Sequence, residues 1–485
     1  MRKNKIVNGL VWKLLERFGV QGTQFVLQIL LARILDPEHY GVLSMMVVFI
    51  TLANVFIQRG FNTALIQNKE VTEEDYSSVF WITLSVAVLL YVVLFAAAPV
   101  IAFFYNMPDF VTPFRVLCIV LFPGALNSIQ LAIISRRMEF KKVFYSNLAA
   151  IIVSGVTGII LAFCGAGLWA LVGQNVLNTA IACVVMWFTV KWRPQLVCNI
   201  VRVKKLFSYG WKLLVSGLID AVYTDLRSLV IGKKYDSGTL AYYNRGKQFP
   251  QFIINAVNTS VQSVLLPAMS AKQSDRMQLK TMMRTSITLS SYLIFPMMAG
   301  LAGISEPLVR MVLTEKWLPC VPYLRIYCFT LAFYPVHTCN LQAINAMGRS
   351  DVFLKLELIK KTMGIAALVI AVVYFNSPIA IAATGVVTGL INCFVNASPN
   401  KKLVDYSYKE QMIDIMPSAL ASLAMLCCVL ALTMLNLSDM ITIVIQIVAG
   451  VIFYVVLSVG FQLEPFKLLM RIVRDALHGK TKNEE

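Results

Sequence analysis

Apolar runs of about 20 residues, separated by short polar breaks, recur along nearly the whole chain. At 1.5 Å per residue, a helix of that length covers the roughly 30 Å hydrocarbon core of a bilayer. The pattern predicts an all-α integral membrane protein with fourteen transmembrane helices. They fall near residues 10–35, 41–66, 79–104, 113–135, 144–164, 168–190, 209–231, 243–268, 285–305, 322–346, 354–375, 378–397, 413–435 and 440–462. The pattern also repeats. Trp12-Lys13-Leu14-Leu15 returns as Trp211-Lys212-Leu213-Leu214, and Pro113-Phe114-Arg115-Val116-Leu117-Cys118 as Tyr323-Leu324-Arg325-Ile326-Tyr327-Cys328. Asn127-Ser128-Ile129-Gln130, ending at Arg136-Arg137, is echoed by Asn340-Leu341-Gln342, ending at Gly348-Arg349. Two like bundles in so apolar a chain are the usual build of a transporter, with its site between the halves.

Polar residues interrupt this apolar pattern in register. Lys13, Arg17, Gln21, Gln24 and Gln28 share one face of the first span, and Thr51, Asn54, Gln58 and Asn62 one face of the second. The eighth span, repeat partner of the second, carries Asn244, Gln248, Gln251, Asn255, Asn258 and Gln262 in a stripe. On the seventh, Asp220, Thr224 and Arg227 stand at i, i+4 and i+7, with Asp220 near the bilayer midplane and Asp225 pointing elsewhere. An uncompensated charge inside hydrocarbon costs about 2.5 to 3.5 kcal/mol on insertion scales, so these faces meet protein or water rather than lipid. One reading is interhelical hydrogen bonding, at about 0.6 kcal/mol per contact. The preferred reading is a wet, positively biased cavity. Amides both donate and accept and so suit sugar hydroxyls, while Arg pairs bidentately with phosphate oxygens. Arg115 and Arg325 match across the repeat and carry a shared structural role as readily as a substrate contact.

Composition agrees with a membrane protein: 58% of the 485 residues are hydrophobic and 14% charged. The net charge of +18 raises a nucleic-acid reading, which its distribution removes. Most Lys and Arg sit at the N-terminus, in the even-numbered connections and at the C-terminus. The positive-inside rule therefore makes both termini cytoplasmic, as an even number of spans requires. The predicted organisation is an N-lobe at 1–191, a basic linker at 192–208 that lies partly flat on the interface, a C-lobe at 209–400, two further spans over 401–462 and an amphipathic tail at 463–485. In that tail Phe466, Leu469, Ile472, Val473 and Leu477 oppose Lys467, Arg471 and Arg474, and residues 480–485 are expected to be disordered. The ten cysteines lack metal-ligand or disulfide spacing and read as small hydrophobes. Histidine is scarce: His39, His337 and His478, widely separated, argue against imidazole acid-base chemistry, and His337 is read as a helix-packing residue. No connection can hold a soluble catalytic domain, a Gly-rich phosphate loop or a metal motif. The chain is therefore expected not to be an enzyme and to need no cofactor.

Several stretches carry a resemblance: Leu31-Ala-Arg-Ile-Leu-Asp-Pro-Glu-His-Tyr-Gly41, Gly60-Phe-Asn-Thr-Ala-Leu-Ile-Gln67, Ser135-Arg-Arg-Met-Glu-Phe140, Tyr242-Tyr-Asn-Arg-Gly-Lys-Gln-Phe-Pro250, and Asn255 to Pro267. Through them the chain resembles the polysaccharide transporter branch of the multidrug/oligosaccharidyl-lipid/polysaccharide (MOP) exporter superfamily, of the colanic-acid, teichuronic-acid and O-antigen export type. The resemblance implies two six-helix lobes of the MATE/MOP kind plus two C-terminal helices. It implies a bacterial cytoplasmic (inner) membrane protein that flips undecaprenyl-diphosphate-linked oligosaccharide units by alternating access, coupled to H+ or Na+ and serving the polysaccharide polymerase machinery. It makes Arg17, Arg227 and Arg245 candidate diphosphate or sugar contacts beside the amides Gln21, Gln24, Gln251, Asn255 and Asn258. Asp220 and Glu16 become candidate coupling carboxylates. The rival is a drug or cation antiporter on the same fold, which would favour a lumen dominated by carboxylates.

Overall fold

A computed structural model describes residues 12, 19–58, 65, 71–197, 199–273, 275–435 and 437–477. These are helical nearly throughout, with no strand among them. In chain order, α1 (Gln21–Ile34), α2 (Pro37–Gln58) and α3 (Glu73–Tyr105) are followed by α4 (Val111–Leu117) and α5 (Leu121–Arg137), then α6 (Phe140–Phe163) and α7 (Leu168–Thr189). The second half holds α8 (Ile200–Lys234), α9 (Ser237–Ala271), α10 (Arg276–Gly303), α11 (Ser305–Leu313), α12 (Val321–Ala332), α13 (Tyr334–Ala346), α14 (Ser350–Tyr374) and α15 (Pro378–Ala397). The chain continues through α16 (Asn400–Leu403), α17 (Tyr408–Leu432), α18 (Asp439–Gly460) and α19 (Glu464–Leu477). Packing divides the chain into two compact units, residues 1–241 and 242–485, with the division inside α9.

Local chemistry sets the helix ends. Asp36-Pro37-Glu38 begins α2 with a proline that needs no amide partner and an acid at the positive dipole end. The 33-residue α3 starts from a capping box. Thr72 Oγ1 accepts from the Asp75 amide at 3.3 Å, and Asp75 Oδ2 accepts from the Thr72 amide at 2.9 Å. Ser407 and Glu410 repeat this device at α17. Gly167, at φ +54, turns the chain into α7 where a Cβ would lie 2.4 Å from His39 Nε2.

Among the described residues nine helices are long and apolar enough to cross a membrane. The 35-residue α8 and α9 are not among them, because the polar stripes dilute their apolar content. The predicted tenth span is broken at Phe333, where Pro335 at the start of α13 has no amide to continue the ladder. In the linker, residues from Ile200 onward are already helical and run unbroken into α8. Its preceding stretch is strapped to the start of α3. Trp192 Nε1 donates to Glu73 at 2.8 Å, Trp81 Nε1 to the Gln195 carbonyl at 2.8 Å, and the Gln195 and Asn199 amides to Ser77 and Ser78 at 3.0 and 2.9 Å. In the tail, α19 forms as its periodicity predicts and packs Phe466 and Leu469 against the cluster around Tyr292, Met425 and Tyr454. The 480–485 stretch lies outside the described residues.

Candidate functional site

The polar stripes lie on helices, as their spacing predicts, and much of them is exposed. In the first unit Gln21 and Gln24 on α1 are exposed and Gln28 half-buried; on α2, Thr51 and Gln58 are exposed and Asn54 half-buried. On α8, Asp220 and Arg227 are half-buried and Thr224 is exposed, its hydroxyl donating to the Asp220 carbonyl at 2.7 Å. Asp220, Asp225 and Arg227 all take part in polar or electrostatic contacts. Glu16 and Arg17 lie outside the described residues. An exposed amide at hydrocarbon depth faces water, because lipid offers it no partner. These faces of α1, α2 and α8 are therefore polar surfaces open to solvent.

In the second unit the α9 residues divide by environment. Gln251 and Asn255 form a ladder along the helix, Gln251 Nε2 donating to Asn255 Oδ1 at 2.9 Å, and Asn255 is exposed. Asn258 is half-buried with its Oδ1 out of solvent, beside a small void shared with Ser290 and Tyr334. Arg245 is only 6% exposed. Its guanidinium lies 4.9 Å from the centre of the Trp317 ring and donates through Nη1 to Gln248 at 2.7 Å. A cation held between an indole face and an amide has strong partners within its own unit. The structure thus joins half-buried Gln251 to exposed Asn255 and sets Arg245 apart in the packed interior.

The matched arginines at 115 and 325 do the same job in each unit. Each reaches back 20 residues to the preceding helical segment: Arg115 Nε donates to the Phe95 carbonyl at 3.2 Å, and Arg325 Nε to Ser305 Oγ at 2.9 Å. Arg115 also stacks 4.2 Å over the Phe95 ring. These are fastenings between neighbouring helices.

Sequence reasoning missed a second polar cluster, in the unit of residues 242–485. Asn340, Asn396, Asn400 and Gln411 are essentially fully buried. Asn340 and Gln411 exchange two bonds at 2.7 and 3.0 Å, and Asn400 donates to Asn340 Oδ1 at 2.7 Å. Each residue looks unremarkable on its own helix; only their convergence from α13, α15, α16 and α17 makes a site. The available signal was amides scattered along otherwise apolar stretches, such as Asn340, Gln342 and Asn345 on α13 and Asn392 and Asn396 on α15.

Residues 30–322 match the family described as "Polysaccharide biosynthesis protein". Among characterised relatives, the teichuronic acid biosynthesis protein TuaB of Bacillus subtilis is 23% identical over 72% of this chain and 72% of its own. The lipopolysaccharide biosynthesis protein WzxC of Escherichia coli is 23% identical over 76% and 75%, and the succinoglycan biosynthesis transport protein ExoT of Rhizobium meliloti 22% identical over 73% and 72%. In fold the chain is similar to the lipid II flippase MurJ in an inward closed conformation, with a TM-score of 0.74 at 17% identity over 94% of this chain and 98% of that one. It is also similar to an inward-facing MATE family multidrug resistance transporter of the MOP superfamily, at a TM-score of 0.62 and 14% identity over 79% and 96%. With more than half its length matched by the family, the chain belongs to the polysaccharide biosynthesis protein family.

Proposed function

We propose that this protein is a flippase that moves undecaprenyl-diphosphate-linked oligosaccharide units across the bacterial cytoplasmic membrane by alternating access. In this reading fourteen spans form two six-helix lobes with two further C-terminal helices, both termini lie in the cytoplasm, and the flipped unit passes to a polysaccharide polymerase. The observation that carries it is the amide stripes that face outward: Gln21 and Gln24 on α1 and Asn255 on α9 are exposed, with Gln251 half-buried beside Asn255. Sugar hydroxyls need partners that donate and accept, and amides supply both. Arg227, with Arg17, supplies positive charge for the diphosphate. Asp220 and Glu16 are the carboxylates available for coupling to H+ or Na+. Membership of a polysaccharide family and the names of the relatives support a lipid-linked saccharide as cargo. The antiporter reading would call for carboxylates where these stripes carry amides.

The test is flipping in vesicles of undecaprenyl-diphosphate oligosaccharides labelled on the sugar. Parent protein is expected to move label to the trans leaflet. Arg227→Ala and Gln251→Ala/Asn255→Ala are expected to slow it about tenfold or more while the folded yield holds, as loss of charge-assisted and polar contacts worth about 1.4 kcal/mol would. Drug efflux without flipping by the parent would overturn the assignment.

A further inference from the structure

His337 packs between helices, and both of its ring nitrogens meet polar groups there. It lies on α13 one turn beyond Tyr334, whose ring meets it edge-on at 6.4 Å. From α15, Asn396 Nδ2 stands 3.4 Å from its Nδ1 and Cys393 Sγ 3.7 Å from its Nε2. From α14, Lys360 is buried to 9% exposure, donates to Glu357 one turn earlier and acts electrostatically on the imidazole. His337 is about 14 Å from the end of α13 and Lys360 about 15 Å from the start of α14, at 1.5 Å per residue. Those two ends are joined by a short turn, so both groups lie at one depth, well inside a span.

Among the described residues, Lys360 is the charged group that acts on the ring. The small void beside the neighbouring Tyr334 and Pro335 is lined from α10 by Ser290 and Ile294 and from α9 by Ile254, Val257 and Asn258, none of them charged. Arg325 of α12 is bonded to Ser305, and Lys401 and Lys402 of α16 are exposed. The amide beside the ring can serve either protonation state. As placed, Asn396 offers its nitrogen to Nδ1, while its buried Oδ1 has no hydrogen-bond partner. Turning the amide over would present that oxygen to a protonated Nδ1–H. Asn400, one turn on, also holds a buried Oδ1 without a partner, and it bonds to Asn340 and through it to Gln411. Buried acceptors of this kind take ordered water, which makes the row Gln411, Asn340, Asn400, Asn396 a polar file leading to the ring.

We propose that His337 is a proton-exchange site, reached along this amide file, whose protonation is opposed by the nearby charge of Lys360. The step is a simple addition: a proton from water joins an imidazole nitrogen and gives imidazolium, with no other bond made or broken. The imidazolium and the Lys360 ammonium then repel one another in a low-dielectric interior, which loads the packing of α13 against α14. The use of this site to energise transport rests on the flippase reading; the site itself does not.

The test therefore omits cargo. Full-length protein in detergent is taken from pH 7.5 to successively lower pH, and proton uptake is read with a soluble pH dye. Uptake of about one proton per chain that His337→Asn removes and His39→Gln leaves in place is expected. Lys360→Met is expected to move the midpoint of that uptake up by about one pH unit, because the opposing cation is gone; a merely structural role would not move it. Size-exclusion profiles and melting curves establish that the variants are folded, and His337→Gln replaces His337→Asn if the latter is not. Uptake unchanged in the folded His337 variant, or a Lys360→Met midpoint that stays where it was, overturns the proposal. Either result leaves the vesicle flipping test untouched.

Discussion

Replacing Asn340 by leucine should cost more stability than any other single change in the buried amide cluster. Asn340 is fully buried and ties α13 to α16 and α17 through three side-chain bonds, two with Gln411 and one with Asn400. Leucine has nearly the same size, so little of the effect comes from a cavity. Three interhelical bonds at about 0.6 kcal/mol each in a membrane setting sum to about 2 kcal/mol. Gln411 Oε1 is then orphaned while Gln411 Nε2 keeps the Tyr406 carbonyl at 3.3 Å and Asn400 Nδ2 keeps main-chain acceptors at 3.3 and 3.4 Å. One buried acceptor left unpaired adds about 1 kcal/mol, which brings Asn340→Leu to about 3 kcal/mol. Gln411→Leu should cost only about 1 kcal/mol, since Asn340 Nδ2 still reaches the Val336 carbonyl and its Oδ1 still accepts from Asn400. The double variant removes the orphaned group and should cost less than the two single changes added together. Reversible unfolding in mixed detergent micelles would measure all three. Equal costs for the two single variants, or strict additivity in the double, would refute the assignment of the cluster as an interdependent unit.

Two further outcomes follow from the helix ends. At Gly41 a Cβ would lie 1.7 Å from the Ser237 carbonyl oxygen, a main-chain atom that cannot swing aside. Gly41→Ala should therefore cost about 3 kcal/mol or more, and a melting temperature equal to the parent's would show that α2 and the start of α9 do not approach so closely. At Asp236, burial pushes the carboxyl pKa up, but the amide of Thr239 at 2.7 Å and its hydroxyl at 2.8 Å outweigh it and hold the value below the usual range. A folded-state value below the unfolded one gives stability that is present above about pH 4 and is lost as pH falls through the folded value. Asp236→Ala should accordingly cost about 1 kcal/mol at pH 7, with the gap to the parent narrowing below pH 4. A gap that stays constant from pH 7 to pH 3 would contradict this.

The sequence alone determined the helices. Lengths near 20 apolar residues, caps such as Asp36-Pro37 and Thr72 with Asp75, and amide stripes at helical spacing are local properties, so α2, α3, α9 and α19 were legible before any contact was known. The paired arginines at 115 and 325 were equally visible as a match, though their bonds to Phe95 and Ser305 were not. Periodicity says which residues share a face of one helix; it does not say what stands opposite that face. Only the tertiary structure could turn Arg245 onto Trp317 while Asn255 stays exposed, and only it could gather Asn340, Asn396, Asn400, Gln411 and His337 from separate helices. The physical reason is that a hydrogen bond or a charge contact acts over about 3 to 4 Å, and which side chains come within that reach depends on how helices distant in sequence pack.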